Sequence, residues 1–541
     1  MTEEKYIEDA YRYAVKNAYL HEGKAEIGAV VAKIVALHKG INVREIMPSI
    51  KETVSKVNKM KKAEIEAEYK KFEDSYELKP AEKEEGLAKL DWADNEKVIT
   101  RFAPNPNGPF HLGNARAAML SAEYAKMYKG EFLLRFDDTD PKVKKPVANA
   151  EALFREDLKW LGYAPDKVFF ASDRLEVYYG YMRKIIEMGK AYVCNCESEK
   201  WRKLVEKSKA CPCREKPAKE HLAKFEKMMK NEIKEEEAVL RIKTALNDKD
   251  PSIRDWWAAK CVDHPEHPNP KVLDKHVWPS YNFASAIDDH ELGVSLIMRG
   301  QEHEQNQTKQ EYLYKYLGWV YPHSIHFGRI AIEGMMLSTS KTKAGIDSGL
   351  YTGWDDPRLG TIKALKRRGF DPRALVDALI ELGTRGNDAS ISASKLADLN
   401  KKYIDQESRR ISFIKEPVFL DVHMTPETEI EKDSVVIQLN KGQERFNVKK
   451  EEIDAFKEGT VVRLRNLYNA RIVKKDAFQV FSEYSGDVKL EKNIISWIKN
   501  ARDLEIVMPD NSREHGIIED IPIKKGGRLT SFEQVKKEAG L

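Results

Sequence analysis

The chain has 541 residues, 41% of them hydrophobic and 33% charged, and its formal net charge is +4. This length predicts roughly three to five domains, and no apolar run approaches the ~18 residues of a membrane span, so we expect a soluble protein. The acidic start MTEEKYIEDA lacks the apolar core of a secretory signal, so we expect a cytoplasmic location.

The first 92 residues predict a helical segment. In REIMPSIKETVSKV, the apolar residues Ile46, Ile50, Val54 and Val57 recur at helical spacing. The following stretch, KKAEIEAEYKKFED, is nearly all charged, which is typical of a solvated helix or a linker. The segment contains neither a phosphate loop nor a metal-binding pattern.

The next stretch predicts strand, turn, helix and strand, the order of a parallel nucleotide-binding sheet. KVITRFAP predicts the first strand, PNPNGPFHLGN the turn and EFLLRF a buried second strand. Four alanines share one face of the intervening helix: Ala115, Ala118, Ala122 and Ala125. Free backbone N–H groups and the helix dipole favour a phosphate at such a helix start. His111 and Asn114 lie three residues apart there, so both side chains can reach one bound group.

Four of the five cysteines fall in CNCESEKWRKLVEKSKACPC, as two Cys-x-Cys pairs separated by fourteen residues. Such clustering favours a metal over disulfides. Four thiolates could enclose Zn²⁺ with no open position, which predicts a structural site. The alternative is a set of reduced thiols without metal. The predicted ligands are Cys194, Cys196, Cys211 and Cys213, whereas Cys261 lies outside the cluster and reads as an ordinary thiol.

The cysteine segment and its Lys/Glu-rich continuation, to about residue 250, interrupt the strand pattern as an insertion. Strand patterns then return and end in the apolar run of SYNFASAIDDHELGVSLIMRG. From about residue 412, short apolar runs such as SVVIQL and TVVRLRNL alternate with turn residues, which predicts small β-barrels.

Five stretches in this order resemble the class I aminoacyl-tRNA synthetases of the glutamate/glutamine subgroup. RFAPNPNGPFHLGN resembles their HIGH motif, and LRFDDTDP, SYNFASAIDD, MRGQEH and GWDDPRL follow. From residue 97 onward the chain resembles the archaeal-type glutamyl-tRNA synthetases. The resemblance implies a multidomain α/β plus all-β protein: a Rossmann-type catalytic core with an N-terminal helical extension and C-terminal anticodon-binding β-barrels. The implied domains are a helical extension 1–92, a catalytic core 93–193 and 271–344, an inserted acceptor-end-binding domain 194–270, a helical stem-contact domain 345–411 and anticodon-binding barrels 412–541.

The family implies an ATP-dependent glutamate–tRNA ligase. Such an enzyme activates L-glutamate to glutamyl-adenylate, releases pyrophosphate and transfers glutamate to the 3′-terminal adenosine of tRNA(Glu). Mg²⁺ would accompany ATP, tRNA(Gln) stays open as a second substrate, and we expect a monomer with no membrane partner. The alternatives are a glutaminyl-tRNA synthetase, a catalytically idle tRNA-binding paralogue and an enzyme that glutamylates a tRNA base, although relatives of the last kind lack the barrel tail.

The resemblance also implies roles at the ATP end of the site. His111 and Asn114 match the signature residues that hold the ATP phosphates. LSTSK, residues 337–341, resembles the KMSKS loop, but Thr339 takes the lysine column, so we expect Lys341 to supply the charge two residues later. Further ATP-binding residues are predicted to be Pro104, Gly108, Gly113, Glu302 and Ser338.

The same resemblance implies a glutamate pocket. Arg101 matches the ligand of the γ-carboxylate and Asp137 that of the ammonium group. Arg299 discriminates between the two acids, because a second guanidinium fits a carboxylate and would be poorly matched to a neutral amide. The other predicted glutamate-binding residues are Ala103, Asn105, Tyr281 and Ser285. We expect Asp288 and Asp289 to position groups around the substrate rather than to act as an acid–base pair.

Overall fold

The computed structural model describes residues 3–21, 23–37, 43–72, 86–405, 411–432 and 435–520. The chain forms two compact units, Met1–Glu85 and Gly86–Leu541. Among the helices of the described ranges, none is long and apolar enough to cross a membrane.

The first unit is helical, as predicted. Ile46, Ile50, Val54 and Val57 are all buried, because their spacing places them on one face of a helix. The charged stretch after them also forms a helix, which buries Ile65, while its last two residues lie outside the described part. The helices are α1 (Glu3–Leu20), α2 (Ile27–Leu37), α3 (Val43–Val57) and α4 (Lys62–Phe72).

The second unit contains a five-stranded sheet in the order β3-β2-β1-β8-β9, in which every pair of neighbours is parallel. The predicted strand–helix–strand unit is present, and the four alanines predicted to share one face of its helix are all buried. The strand order changes direction between β1 and β8, and ligands bind at such a point beyond the carboxyl ends of the strands. These elements are β1 (Ile99–Phe102), α5 (Leu112–Met127), β2 (Glu131–Phe136), α6 (Ala150–Trp160), β3 (Lys167–Phe170), β8 (Leu296–Gly300), α11 (Glu304–Leu317) and β9 (His323–Phe327).

Between β3 and β8 the chain forms an antiparallel sheet, β4-β5-β6-β7, with helices around it. Its apolar residues belong to one large cluster together with residues of α10 and α11, so the insertion packs directly against the central sheet's helices. The elements are α7 (Leu175–Glu187), β4 (Ala191–Cys194), α8 (Ser198–Glu206), α9 (Ala218–Met229), β5 (Val239–Ile242), β6 (Trp257–Cys261), β7 (Val277–Pro279) and α10 (Tyr281–Glu291).

After β9 the chain is mainly helical, and it packs against the face of the central sheet that α5 covers. Ile362, Leu365 and Leu375 share a buried cluster with residues of α5 and β2. The elements are β10 (Ile330–Ile332), α12 (Thr339–Asp347), α13 (Ile362–Arg367), α14 (Pro372–Leu382), β11 (Ala389–Ile391) and α15 (Ala393–Ile404).

The C-terminal part is built almost entirely of strands. Its seven-stranded sheet begins at β20 and ends at β21. Only Ser496 separates these two edge strands, so the sheet is nearly closed into a barrel, as predicted. The elements are β12 (Phe413–Ile414), β13 (Pro417–Thr425), β14 (Thr428–Lys432), β15 (Val435–Leu439), β16 (Gly442–Lys449), α16 (Lys450–Asp454), β17 (Val461–Leu464), β18 (Asn469–Lys475), β19 (Gln479–Tyr484), β20 (Ile494–Ile495), β21 (Trp497–Ile498), β22 (Ala501–Val507) and β23 (Arg513–Glu519).

Candidate active site

A cavity of about 710 Å³ opens at the carboxyl ends of β1, β2 and β8, where the strand order changes direction. Most of the residues predicted from sequence line it, although they come from strands, turns and helix ends up to two hundred residues apart. The predicted residues in its wall are Arg101, Ala103, Pro104, Asn105, His111, Gly113, Asn114, Asp137, Tyr281, Arg299 and Glu302.

Four predicted residues lie outside this wall. Ser285 is fully buried, and its hydroxyl lies 3.4 Å from a carboxylate oxygen of Asp289. Gly108 lies against the second signature loop, residues 337–341. A Cβ added at Gly108 would come within 2.6 Å of Cγ2 of Thr339. The other two, Ser338 and Lys341, belong to that second loop. The two signature loops are therefore in contact, and the lack of a side chain at Gly108 permits it.

His111 caps the N-terminus of α5. Its backbone is extended, and its Nδ1 accepts a hydrogen bond from the backbone N–H of Asn114 at 3.3 Å. Burial lowers the pKa of His111 to about 4, so the imidazole is neutral near pH 7 and its proton belongs on Nε2. Gly113 permits this arrangement, because an added Cβ would come within 3.0 Å of the His111 ring. The result is a fixed, uncharged donor at a helix start, where the helix dipole favours negative charge.

Arg101 is paired within the protein. Its Nε and Nη2 donate to the two carboxylate oxygens of Asp289 at 2.9 and 3.2 Å. Burial opposes the charge on this guanidinium, but Asp289 holds the pKa of Arg101 above its ordinary value. Arg101 therefore presents a donor to the cavity while Asp289 compensates its charge.

Arg299 is buried, with only 4% of its surface exposed, and its partners are neutral. Nη1 donates to Oε1 of Gln310 at 3.0 Å, Nη2 to the hydroxyl of Tyr321 at 2.9 Å, and Nε to Nε2 of His326 at 3.1 Å. Burial, followed by the charge of Arg299, lowers the pKa of His326. Among the described residues no carboxylate lies within ion-pair distance of Arg299, so its direct partners leave this buried positive charge unpaired.

Asp288 lies at the centre of a buried ionic network. One of its oxygens accepts from Arg135 at 2.7 Å and from the hydroxyl of Tyr178, and the other accepts from Arg174 at 2.6 Å. Arg135 also donates to Asp137 at 2.8 Å. With Asp288 engaged here and Asp289 on Arg101, neither carboxylate is free to act as a base, which supports the positioning role.

Asp137 stands at the end of β2. Burial raises the pKa of its carboxyl group, and the charge of Arg135 only partly opposes this. A bound ammonium group would supply the missing positive charge. Glu302, also in the cavity wall, approaches Arg329, with its Oε2 3.6 Å from Nε of that arginine.

The second loop forms the start of α12. Ser338 caps this helix, and its hydroxyl lies 3.4 Å from the backbone N–H of Lys341. The Lys341 side chain is exposed, and no other described residue pairs with it. Lys341 is thus a solvated cation next to the cavity wall, which includes the preceding Leu337.

The four clustered cysteines come together between β4 and the turn after α8. Their sulfurs all lie within 4.8 Å of one another, with Cys194–Cys211 at 3.8 Å and Cys196–Cys213 at 3.7 Å. Four thiolates about 2.3 Å from a tetrahedral zinc would lie about 3.8 Å apart, so the donor set fits Zn²⁺. Cys261 is buried in β6, away from this group.

Sequence reasoning missed several residues of the site. Arg135 could have been found, because a charged residue inside the apolar run EFLLRF needs a buried partner. No local signal could have identified Gln310 and Tyr321, since only the fold brings them to Arg299.

Comparison with known proteins identifies the family. The sequence model of the tRNA synthetases class I (E and Q), catalytic domain, matches residues 97–406, more than half of the chain. The chain belongs to this family. Two relatives of this class I synthetase are named glutamate–tRNA ligase. That of Pyrococcus abyssi is 45% identical, and the match covers 97% of this chain and 95% of the relative. That of Thermococcus kodakarensis is 44% identical with the same coverage.

Among solved structures, a glutamate tRNA ligase from Elizabethkingia meningosepticum, in complex with its amino acid, matches with a TM-score of 0.43 and 23% identity. The match covers 57% of this chain and 70% of that structure's chain.

Proposed function

We propose that this class I synthetase is a glutamate–tRNA ligase. The observation that carries the proposal is the buried, uncompensated charge of Arg299 in the cavity wall. A substrate carboxylate would neutralise it, whereas the amide of glutamine would leave it desolvated and unpaired. The family covers both acids, so Arg299 and the names of the relatives favour glutamate within it.

In the first step, the α-carboxylate of glutamate attacks the α-phosphorus of ATP, which enters with Mg²⁺, and pyrophosphate leaves. Nε2–H of His111 and the side chain of Asn114 donate to the phosphate oxygens, where negative charge grows in the transition state. Lys341 offsets the charge of the departing pyrophosphate. Pro104, Gly108 and Gly113 keep the turn narrow, and Glu302 and Ser338 bind other parts of the nucleotide.

The amino acid is held by groups of opposite charge. Asp137 binds the ammonium group, while Arg299 and the free donor of Arg101 bind the γ-carboxylate. Ala103, Asn105 and Tyr281 shape the wall of the pocket. The buried hydroxyl of Ser285 donates to Asp289 and so helps to hold its carboxylate on Arg101. These contacts orient the α-carboxylate for in-line attack.

In the second step, the 2′-hydroxyl of the terminal adenosine of tRNA attacks the carbonyl carbon of glutamyl-adenylate, and the glutamyl ester forms as AMP and a proton leave. The engaged state of Asp288 and Asp289 supports catalysis by positioning rather than by a dedicated base. The four clustered cysteines would hold a structural zinc, which ties the insertion together and takes no part in the reaction. A cytoplasmic location, a monomeric state and the domain limits remain predictions.

Glutamate-dependent exchange of pyrophosphate into ATP, measured with and without tRNA and in parallel with glutamine, tests the proposal. We expect exchange with glutamate only. Exchange with glutamine alone would identify the glutaminyl enzyme, and none with either acid in the presence of tRNA would identify the idle paralogue. Charging of tRNA(Glu) and tRNA(Gln) transcripts then defines the tRNA substrates.

A further inference from the structure

The two arginines of the cavity differ in counter-charge. Asp289 pairs with Arg101 through two hydrogen bonds, whereas Arg299 has an amide, a phenol and an imidazole as partners. The positive charge available to a substrate carboxylate is therefore that of Arg299. The pocket keeps this charge only as long as the groups that contact Arg299 are neutral.

Gln310 is central to this arrangement. Its Oε1 accepts from Arg299 at 3.0 Å and from the hydroxyl of Tyr321 at 2.7 Å, and the residue is fully buried on α11. These two donors fix which end of the amide faces Arg299. The opposite end, Nε2, is buried and has no partner among the described residues.

A glutamate at this position would have almost the same shape. It would accept the same two hydrogen bonds and would also pair with Arg299 as an ion. The amide thus holds the guanidinium in place without neutralising it, although one of its own donors stays unsatisfied. A carboxylate at this position would leave no donor unsatisfied, but it would neutralise the positive charge that Arg299 offers to the substrate.

We propose that Gln310 is a positioning residue that determines acid selectivity, because it orients Arg299 and leaves its charge to the substrate. The inference rests on the proposed function and deepens it. Gln310 lies outside the cavity wall, and its lack of charge, rather than its shape, makes the pocket favour glutamate over glutamine.

The test compares Gln310→Glu with the neutral variant Gln310→Met, of similar length. The readout is the ratio of kcat/KM for glutamate to that for glutamine in pyrophosphate exchange with tRNA present. We expect Gln310→Glu to lower this ratio by at least about tenfold, mainly through KM for glutamate. Gln310→Met should lower kcat/KM for both acids together, because Arg299 loses a partner that orients it, but it should keep the ratio within about threefold of wild type, since the charge is unchanged.

A second pair of variants tests the same idea without changing Gln310, so that the result does not depend on whether Gln310→Glu folds. His326 reaches Arg299 from β9, so His326→Glu adds a carboxylate from another element and His326→Gln is its neutral control. We expect the same fall in the ratio for His326→Glu alone. An unchanged ratio in both carboxylate variants, with an active wild type, overturns this inference and leaves the proposed function standing. A wild type that activates neither acid overturns both.

Discussion

At the scale of single residues, burial decides which side chains act as charges in the cavity. Burial holds His111 neutral by lowering its pKa to about 4, whereas Arg299 is the more deeply buried of the two and is a cation among neutral partners. Arg101 has the same residue type and a similar depth, but Asp289 compensates it. Residue type alone therefore does not determine what each group offers to a substrate.

His111 has two separable roles, as helix cap and as phosphate donor. His111→Asn should keep the cap, because its side-chain oxygen can accept from the N–H of Asn114, but it removes the Nε2–H donor. We expect the exchange rate to fall by about 10²- to 10³-fold, with little change in the free energy of unfolding. His111→Ala, which loses both roles, should also be less stable by about 1 kcal/mol in urea unfolding.

The pKa of His111 gives this prediction a pH signature. The folded value of about 4 lies below the ordinary 6.5, so the imidazole keeps its Nε2 proton and stays neutral above pH 4. The ratio of wild-type to His111→Asn rates should thus be the same at pH 6 and pH 8, to within about twofold. As pH falls from 6.5 towards 4, only the unfolded chain takes up the proton, so the stability contribution of neutral His111 is lost over that interval.

At the scale of elements, the insertion brings together cysteines that lie in separate turns. Cys194 ends β4 and Cys196 follows it, while Cys211 and Cys213 lie in the turn between α8 and α9. The apolar cluster around them is small, with Tyr192 as its only other buried residue in the described part of the chain. A metal would therefore supply much of the cohesion at this end of the insertion.

Protein purified without chelators should contain about one zinc per chain. Cys211→Ser should lower the zinc content at least tenfold and expose the insertion to limited proteolysis, because three ligands bind zinc far more weakly than four. Mass spectrometry of metals measures the first effect. Cys261→Ala is the matched control, since Cys261 is also a buried cysteine but lies outside the cluster. The Cys261→Ala protein should keep its zinc. A wild-type protein free of zinc would refute the site.

At the scale of the whole molecule, the two compact units have separate cores. In the described part of the chain, the buried residues of the first core all lie between residues 10 and 65, and every residue of the cavity wall belongs to the second unit. Residues 86–95 contribute to the second unit: the Trp92 ring stacks on His323 with centroids 4.1 Å apart, and the Tyr124 hydroxyl donates to the carbonyl of Ala88.

A chain beginning at Gly86 should therefore fold cooperatively and activate glutamate within about threefold of the full-length rate. A chain beginning at residue 93 lacks Trp92 and the apolar residues before it, and we expect its melting temperature to be lower by several degrees, on the order of 1–2 kcal/mol of lost packing. Thermal unfolding and exchange assays on both chains check this. Loss of activity in the longer chain would show that the helical unit supports the first step.

Much of the fold could be predicted from local patterns. The strands around the first signature, the alanine face of α5 and the apolar face of α3 follow from spacing that a single element imposes. The barrel strands were predicted in kind, but their order was not, because β13 pairs with both β16 and β19 through contacts that no local pattern encodes.

The sequence by itself indicated the reaction class through five motif stretches that resemble the class I synthetases, and the spacing of four cysteines predicted the donor set that the structure brings together. Only the tertiary structure decided which charge the pocket offers. Arg101 finds Asp289 across 188 residues, while Arg299 meets only neutral groups. Electrostatic compensation acts through space, so the fold alone could show that one arginine is neutralised and the other is not.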